Sequence, residues 1–562
     1  MTALHPRHQS IVHALVALAE SGSTTELTMV PEPARVEPRR YDAVFDLAAR
    51  SAAILAEHGV GPGDRILICL PAGWPFAAAF FGAQVCGAAP ASVALPTTFG
   101  ATAGFDGQLK ELVGYLRPAA IVTTAAMIEA AGELADTVLI DGDALVARAA
   151  AAQVAPHPVH LPGPGDLAFI QLTSGSTGAP KGVMVSHGNL ITHLEQLALA
   201  TGWSAEDVSV SWLPLYHDMG LVAGLMLPIY TGGGGVVMPP TRFLRAPAEW
   251  LHLMSHFRGT TAAAPNFAYG YLADRVKDEH LKGVDLSSWR MVFCGAEPIN
   301  PATIARFTDR FTKWGLRPNV VVPCYGMAEA VLGITMTPPA EPMRYDTIDR
   351  QAAVADARVV DVEADSPHAL RVVDCGAPVV GTDLRIVDDQ GTELGEGRIG
   401  HIQFRGPSRT VGYFDLPRAT AEALDGPGWW KTGDVGYLRD GSLRITGRAK
   451  DLVIIRGANY FPSDFEQAAE TVHGVRLGGV VAVGYLAEDG DSEELHLVVE
   501  TELEAEHHDT LRASIRSAVS ARTGVPPIAI HMVPRRSIPK TTSGKVQRSL
   551  TRGRFVDGWT RP

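Results

Sequence analysis

Short apolar runs of strand character alternate along the chain with segments of helical periodicity. Leu167–Leu172, Val236–Met238, Met291–Phe293 and Val320–Val322 are such runs. Their alternation with amphipathic stretches predicts an α/β fold with substantial parallel sheet. Helix starts are marked too. Asn300-Pro301 reads as an N-cap followed by proline at the first helical position, and Ser463 with Glu466 has capping-box spacing. The Ala-rich Ala144–Ala152 and the following Ala155–Gly165 read as a helix end and a surface connection. The longest uncharged stretch, Ile66 to Phe105, is interrupted by Pro71, Pro75, Pro90 and Pro96. A membrane span of about 20 continuous apolar residues does not fit there, and a buried helix followed by loop and strand does.

The pattern changes near residue 450. Gly441–Thr446 reads as a hairpin strand, Leu452–Ile455 begins a new one, and the residues from there to the C-terminus suffice for a small α+β domain. The charged segment Gly447-Arg448-Ala449-Lys450-Asp451 is the expected hinge. A length of 562 residues fits this division, since domains usually hold about 100–200.

Composition narrows the function. The chain is 46% hydrophobic and 19% charged, with a net charge of −13 and Lys and Arg read as scattered. That excludes a nucleic-acid partner as the main theme, and an anionic substrate must be held by local chemistry. Cys69, Cys86, Cys294, Cys324 and Cys375 lie far apart without a CxxC pair, so free thiols in a reducing compartment are expected. His5, Arg7, His8 and His13 occupy the place of a secretory apolar core. A soluble cytoplasmic protein is the expectation.

The most informative segment runs Leu172-Thr173-Ser174-Gly175-Ser176-Thr177-Gly178-Ala179-Pro180-Lys181-Gly182. Glycines permit turns that aim successive N–H groups at one anion, the hydroxyls add donors, and Lys181 adds a cation suited to a polyphosphate. It differs from the P-loop of kinases and GTPases: Pro180 precedes the lysine and Gly182 stands where a metal-binding hydroxyl would be.

This loop resembles the phosphate-binding signature of the adenylate-forming superfamily, which includes acyl-CoA synthetases, luciferases and peptide-synthetase adenylation domains. Further matches occur in the family's order. They are Trp212–Gly220 with His217, Gly295-Ala296-Glu297-Pro298, Tyr325-Gly326-Met327-Ala328-Glu329, Thr432-Gly433-Asp434, Gly447–Asp451 with Arg448, and Pro539–Lys545. The resemblance implies an α/β fold. A large N-terminal domain (1–447) of mixed sheets with helices would be joined by a hinge (448–451) to a small, mobile α+β domain (452–562). It also implies ATP and Mg²⁺. Glu329 would hold the metal with help from Thr173, Tyr325 would face adenine beside Gly326 and Met327, and Gly295, Ala296 and Glu297 would approach the base. Asp434 would bind ribose with Arg448 as its partner. Lys545 would bridge carboxylate and α-phosphate, and His217 would line the acyl entry.

Two features point to a branch. Tyr216-His217-Asp218-Met219-Gly220-Leu221 resembles the fatty acyl-AMP ligases and not the amino-acid adenylation domains, as do Asn266–Tyr269 and Gly295–Ile299. Met219, Leu221 and Met226 are candidates for lining an alkyl tunnel. The segment Ala352–Leu370, after Tyr345–Arg350, resembles the insertion of that branch. The reading is a fatty acyl-AMP ligase that activates a fatty or related acid and passes it to a separate acyl carrier protein, since no Asp-Ser-Leu-like attachment site is evident. An acyl-CoA synthetase and a non-catalytic nucleotide- or lipid-binding relative stay open as alternatives.

Overall fold

The computed structural model describes residues 4–95, 105–130, 137–151, 154–173, 180–366, 368–451, 453–455, 458–476, 478–486, 493–540 and 546–557. The uncharged stretch after Ile66 forms strand Arg65–Ile68, helix Trp74–Val85 and strand Ala89–Ser92. Every residue of that helix from Phe76 to Val85 is buried. It is apolar all round because it is enclosed, packing on helices Tyr41–Glu57 and Gly142–Ala150. Among the described residues no helix is long and apolar enough to cross a membrane.

Two large sheets organise the first 414 residues. One has nine strands, in the order Ala377–Pro378, Gly333–Met336, Val321–Gly326, Met291–Cys294, Thr261–Ala264, Val208–Ser211, Gly234–Val237, Glu26–Glu32 and Arg35–Arg40. Its central strands are parallel. The other has seven: Gly412–Tyr413, Lys181–Ser186, Leu167–Thr173, Ala89–Ser92, Arg65–Ile68, Ala120–Thr123 and Val138–Asp141. All four apolar runs expected as strands lie in these sheets. Asn300 caps helix Pro301–Phe311 by accepting from the N–H groups of Ala302 and Thr303.

One expectation fails. Helix Pro462–Glu470 takes Phe461 as its N-cap with no side-chain cap bond, and Ser463 lies inside it. The Glu466 carboxylate turns away to accept from the Ala482 N–H and to pair with Arg548. Proline at the first helical position starts this helix, and a tertiary ion pair claims the residue that would have closed the box.

After the antiparallel sheet built on Trp429–Arg439 and Ser442–Arg448, a single turn, Ala449–Asp451, leads onward. The strands Val480–Tyr485, Glu494–Glu500 and Ala529–Val533, with helices Pro462–Glu470 and His508–Thr523, enclose a separate apolar cluster that includes Phe465, Leu497 and Ile515.

The segment following Tyr345 ties these parts together. Strands Tyr345–Asp349 and Ala369–Val373 pair antiparallel, and Asp349 caps the short helix Arg350–Ala355 between them. Ile348, Ala353, Leu370 and Val372 join Val435, Tyr437 and Phe461 in one cluster. Inside it, the Arg350 guanidinium lies 2.5 Å from the Asp464 carboxylate, with the side chains 3% and 2% exposed. Among the described residues neither Asp464 oxygen has a hydrogen bond of good geometry, whereas Arg350 donates to the Ala369 carbonyl at 3.2 Å. Burial pushes the Asp464 carboxyl up, and Arg350 and Arg522 pull it back.

Removing one member of a buried pair strands the other charge and typically costs about 3–5 kcal/mol, whereas replacing both by apolar groups is nearly neutral. Arg350→Met should therefore lower stability by about that amount, and Arg350→Met with Asp464→Leu should recover most of the loss. Urea unfolding of the two single variants and the double variant reads this directly. Additive losses would show that the pair is not coupled.

Candidate active site

Antiparallel pairing places Thr173 directly opposite Lys181. The hairpin therefore fixes both ends of the Ser/Gly loop, and the Thr173 hydroxyl donates to the Lys181 carbonyl at 3.3 Å. Ser174, Gly175, Ser176, Thr177 and Gly178 lie outside the described residues, as does Lys545. Gly412–Tyr413 adds to the far edge of this hairpin, with Tyr413 opposite Val183. That pairing brings the Tyr413 ring to 4.8 Å from the Lys181 ammonium. The Tyr413 hydroxyl donates to Glu329 Oε1 at 2.7 Å.

Glu329 sits on the single turn Ala328–Ala330 just beyond strand Val321–Gly326, and it is 7% exposed. Its backbone carbonyl accepts from the Thr410 N–H at 2.7 Å. Burial pushes the carboxyl up from its ordinary value, while the Tyr413 hydroxyl and the Lys181 charge pull it down. The turn is held under strain. Val331 takes φ +69°, a left-handed conformation that a β-branched residue rarely adopts, at a cost of order 1–3 kcal/mol. A Cβ at Gly326 would fall 1.7 Å from the Leu332 carbonyl oxygen. Only glycine lets the chain fold back so closely that the Met327 N–H reaches that carbonyl at 2.8 Å. A hard anionic carboxylate within reach of the Lys181 charge is the donor type that Mg²⁺ takes.

Asp434 forms the second centre. One oxygen accepts from the Tyr325 hydroxyl at 2.6 Å, and the other lies 3.2 Å from Arg448 Nε. Asp434 and Arg448 are directly opposed across the strand pair. Burial pushes the Tyr325 hydroxyl well up, so it stays a proton donor to Asp434. The sequence treated Tyr325 and Asp434 as separate contacts to base and sugar, and the structure joins them. Nearby, Gly295 and Ala296 follow strand Met291–Cys294, Ala296 takes φ +68°, and Glu297 accepts from the Phe267 N–H at 2.6 Å.

The acyl side is apolar. His217 Nδ1 lies 2.7 Å from Asp218 Oδ1 at the start of Met219–Met226, a π-helix whose residues are all buried. Met219 helps line a cavity together with Leu197, Phe293, Cys324, Leu332, Gly333 and Met336. Leu221 and Met226 are buried but do not line it. Below it His193, wholly buried and lowered by that burial to about 4, accepts from the Gly333 N–H at 2.9 Å. This neutral ring pins the strand that forms one wall.

The chain matches the AMP-binding enzyme family over residues 33–414, well over half its length. It belongs to that family. A 4-hydroxyphenylalkanoate adenylyltransferase of Mycobacterium marinum is 35% identical over 547 residues, covering 91% of this chain and 86% of the relative. A medium-chain-fatty-acid–[acyl-carrier-protein] ligase, JamA, of Moorena producens is 37% identical over 410 residues, covering 70% of this chain and 68% of the relative. Among solved structures, one from a study of fatty acyl-adenylate ligases of E. coli and L. pneumophila superposes with TM-score 0.90 at 30% identity, covering 98% of each chain. Within the adenylate-forming superfamily, the likeness of this AMP-binding enzyme falls on the fatty acyl-AMP ligase branch.

Sequence reasoning missed Tyr413 and the π-helix. Nothing in the spacing of Gly412–Tyr413 from Glu329 signals their contact, because only the edge pairing with Lys181–Ser186 creates it. The π-helix carried a faint mark in Gly220 and Gly224, the small residues that let it approach Pro214 and Ser211.

Tyr413→Phe removes a donor to a buried carboxylate, an interaction worth roughly 1.5–3 kcal/mol. Titration calorimetry should show Mg·ATP binding weakened roughly ten- to hundredfold by that value. The variant's Glu329 carboxyl should rise further. Only an ionised Glu329 would serve as the metal ligand that the resemblance implies, so the pH at which binding is half-maximal should move upward. Glu329→Gln should weaken binding with no such pH shift.

Proposed function

We propose that this AMP-binding enzyme is a fatty acyl-AMP ligase: it activates a fatty or related carboxylic acid with ATP to an acyl-adenylate and passes the acyl group to the thiol of a carrier protein. The observation that carries this reading is the convergence of the groups read as binding ATP at the ends of two neighbouring parallel strands, beside an apolar wall. Phe293 and Cys324 contribute to that wall from these strands. The ends of those same strands deliver Gly295–Glu297 and Tyr325 to the nucleotide side. An alkyl or aryl tail against that wall would point its carboxylate at the groups read as binding ATP.

In the first half-reaction a carboxylate oxygen attacks the α-phosphorus and pyrophosphate leaves. Lys181, the Ser/Gly loop and Lys545 would neutralise the charge that builds on the phosphates, a preorganised electrostatic contribution. Tyr325, Asp434 and Arg448 would orient the nucleoside. Glu329 and Thr173 would hold Mg²⁺, which when bound offsets phosphate charge. In the second half-reaction the thiol attacks the acyl carbonyl and AMP leaves.

One lysine over the α-phosphate and a pantetheine arm at the same carbonyl exclude each other. We therefore assign a hinge to 448–451 between a large unit (1–447) and a small one (452–562), with motion between the two steps. The insertion-like segment opposes that motion, because Arg350 and Asp464 lie on opposite sides of the hinge in sequence and share a buried contact.

Pyrophosphate release dependent on a fatty or aryl-alkanoic acid, followed by acyl loading of a phosphopantetheine-bearing carrier, tests the reading. Release without carrier loading but with stoichiometric acyl-CoA would assign the protein to the acyl-CoA synthetases. Absence of release with every acid would leave a non-catalytic relative. Lys545→Ala should abolish release yet transfer the acyl group from a supplied acyl-adenylate. Arg350→Met with Asp464→Leu, freed of the contact, should form acyl-CoA several-fold faster than the unsubstituted chain at unchanged pyrophosphate release.

A further inference from the structure

The even spread of cations expected from the whole-chain balance does not hold at the C-terminus. Residues 534–562 contain eight Lys and Arg against one acid, Asp557, a net of +7, so the 533 residues before them carry −20. The described part of this stretch sorts its cations into two groups. Arg548 is consumed by Glu466 and Asp451, Arg535 by Glu502 and Arg552 by Asp557, and Lys540 donates to the Gly478 carbonyl. Arg536 and Arg554 are exposed and have no ion pair among the described residues.

The helix Arg548–Phe555 turns one face inward, with Thr551 fully buried and Val556, just past its end, packed with Val481, Val483 and Ile538. Its outer stripe is Ser549, Leu550, Gly553 and Arg554, all exposed, and Leu550 is 53% exposed. Ile538 shares the apolar cluster with Val556, which brings the loop carrying Arg536 alongside the helix. Arg536 is held at φ +65°. An exposed leucine therefore has Arg554 one helical turn on, with Arg536 on the loop that packs on the same cluster, both without an ion pair among the described residues, on the most basic part of an acidic molecule.

We propose that this face, Leu550 with Arg554 and Arg536, docks an acidic carrier protein; the proposal rests on the carrier-loading function proposed for this enzyme. The charge distribution selects the partner. An acidic protein is repelled by the −20 carried elsewhere and attracted here, which orients the encounter as well as speeding it. Leu550 supplies the apolar centre that a small docking face needs, and the two arginines supply forked donors for carboxylates. In sequence the face brackets the 541–545 segment that ends in Lys545, so docking occurs on the same small unit that must move between half-reactions.

The test compares the unsubstituted chain with Arg536→Glu/Arg554→Glu and with Leu550→Ser. Each is assayed for acid-dependent pyrophosphate exchange, for acyl transfer to free coenzyme A and for loading of a panel of phosphopantetheine-bearing acyl carrier proteins. The expected result is a KM for carrier raised tenfold or more by the double charge reversal and several-fold by Leu550→Ser. Pyrophosphate exchange and transfer to coenzyme A should stay unchanged. Added salt should slow carrier loading by the unsubstituted chain and barely affect the charge-reversed one. Unchanged carrier KM with loading intact overturns the docking face and leaves the carrier reading standing. Loading of no carrier by the unsubstituted chain overturns that reading, and this proposal with it. Cosedimentation with phosphatidylserine vesicles that is lost in the double variant, at unchanged carrier KM, gives the face to a lipid surface and also overturns the proposal.

Discussion

The site depends on one carboxylate with two partners. Asp434 receives the Tyr325 hydroxyl from the nine-stranded sheet and faces Arg448 at the last position before the connecting turn. Backbone hydrogen bonds between Leu443 and the Cys375–Gly376 segment join the same two sheets further along, and Asp434 adds a side-chain link at the site itself. With it, the end of strand Val321–Gly326, the strand Trp429–Arg439 and the start of the turn at 449 are held to one another by directional bonds. The Glu329 turn springs from that same strand end, so its position is inherited from the Asp434 junction.

Several irregularities of the backbone lie around this junction. Val331 at positive φ, the Gly326 fold-back, left-handed Ala296 and the π-helix at Met219–Met226 lie at or next to strand ends that face the cavity or the nucleotide residues. The same sheet carries a further register shift between Met29 and Glu32 at its other edge. Strain placed at the strand ends lets a fold hold polar groups in fixed positions without losing its core. The buried neutral His193 belongs to the same arrangement: it accepts from the Gly333 N–H at the start of the strand that pairs with Val321–Gly326.

Much of this was legible in the order of residues. Apolar runs located the parallel strands because a strand buried on both faces leaves few polar positions to confuse the pattern. Asn300-Pro301 announced its helix because both residues act locally. The site residues were legible for a different reason: glycines, hydroxyls and lone carboxylates at fixed places resemble a known family and cluster only there. What stayed hidden was whatever depends on two distant segments meeting. Tyr413 finds Glu329 through an edge-strand pairing, and Glu466 leaves its expected cap for Arg548, 82 positions away. The cationic C-terminus was masked by averaging, since a −13 total conceals a +7 end.

The Arg350–Asp464 contact has a consequence for inheritance. Neither residue can change alone without leaving a charge in an apolar enclosure, and no single codon change repairs the other side. The two positions, 114 residues apart, must therefore be passed on as a unit. Separating the Arg350 segment from Asp464 thus asks for change at both positions, or for a weaker enclosure around Phe461 that lets water reach the orphaned charge.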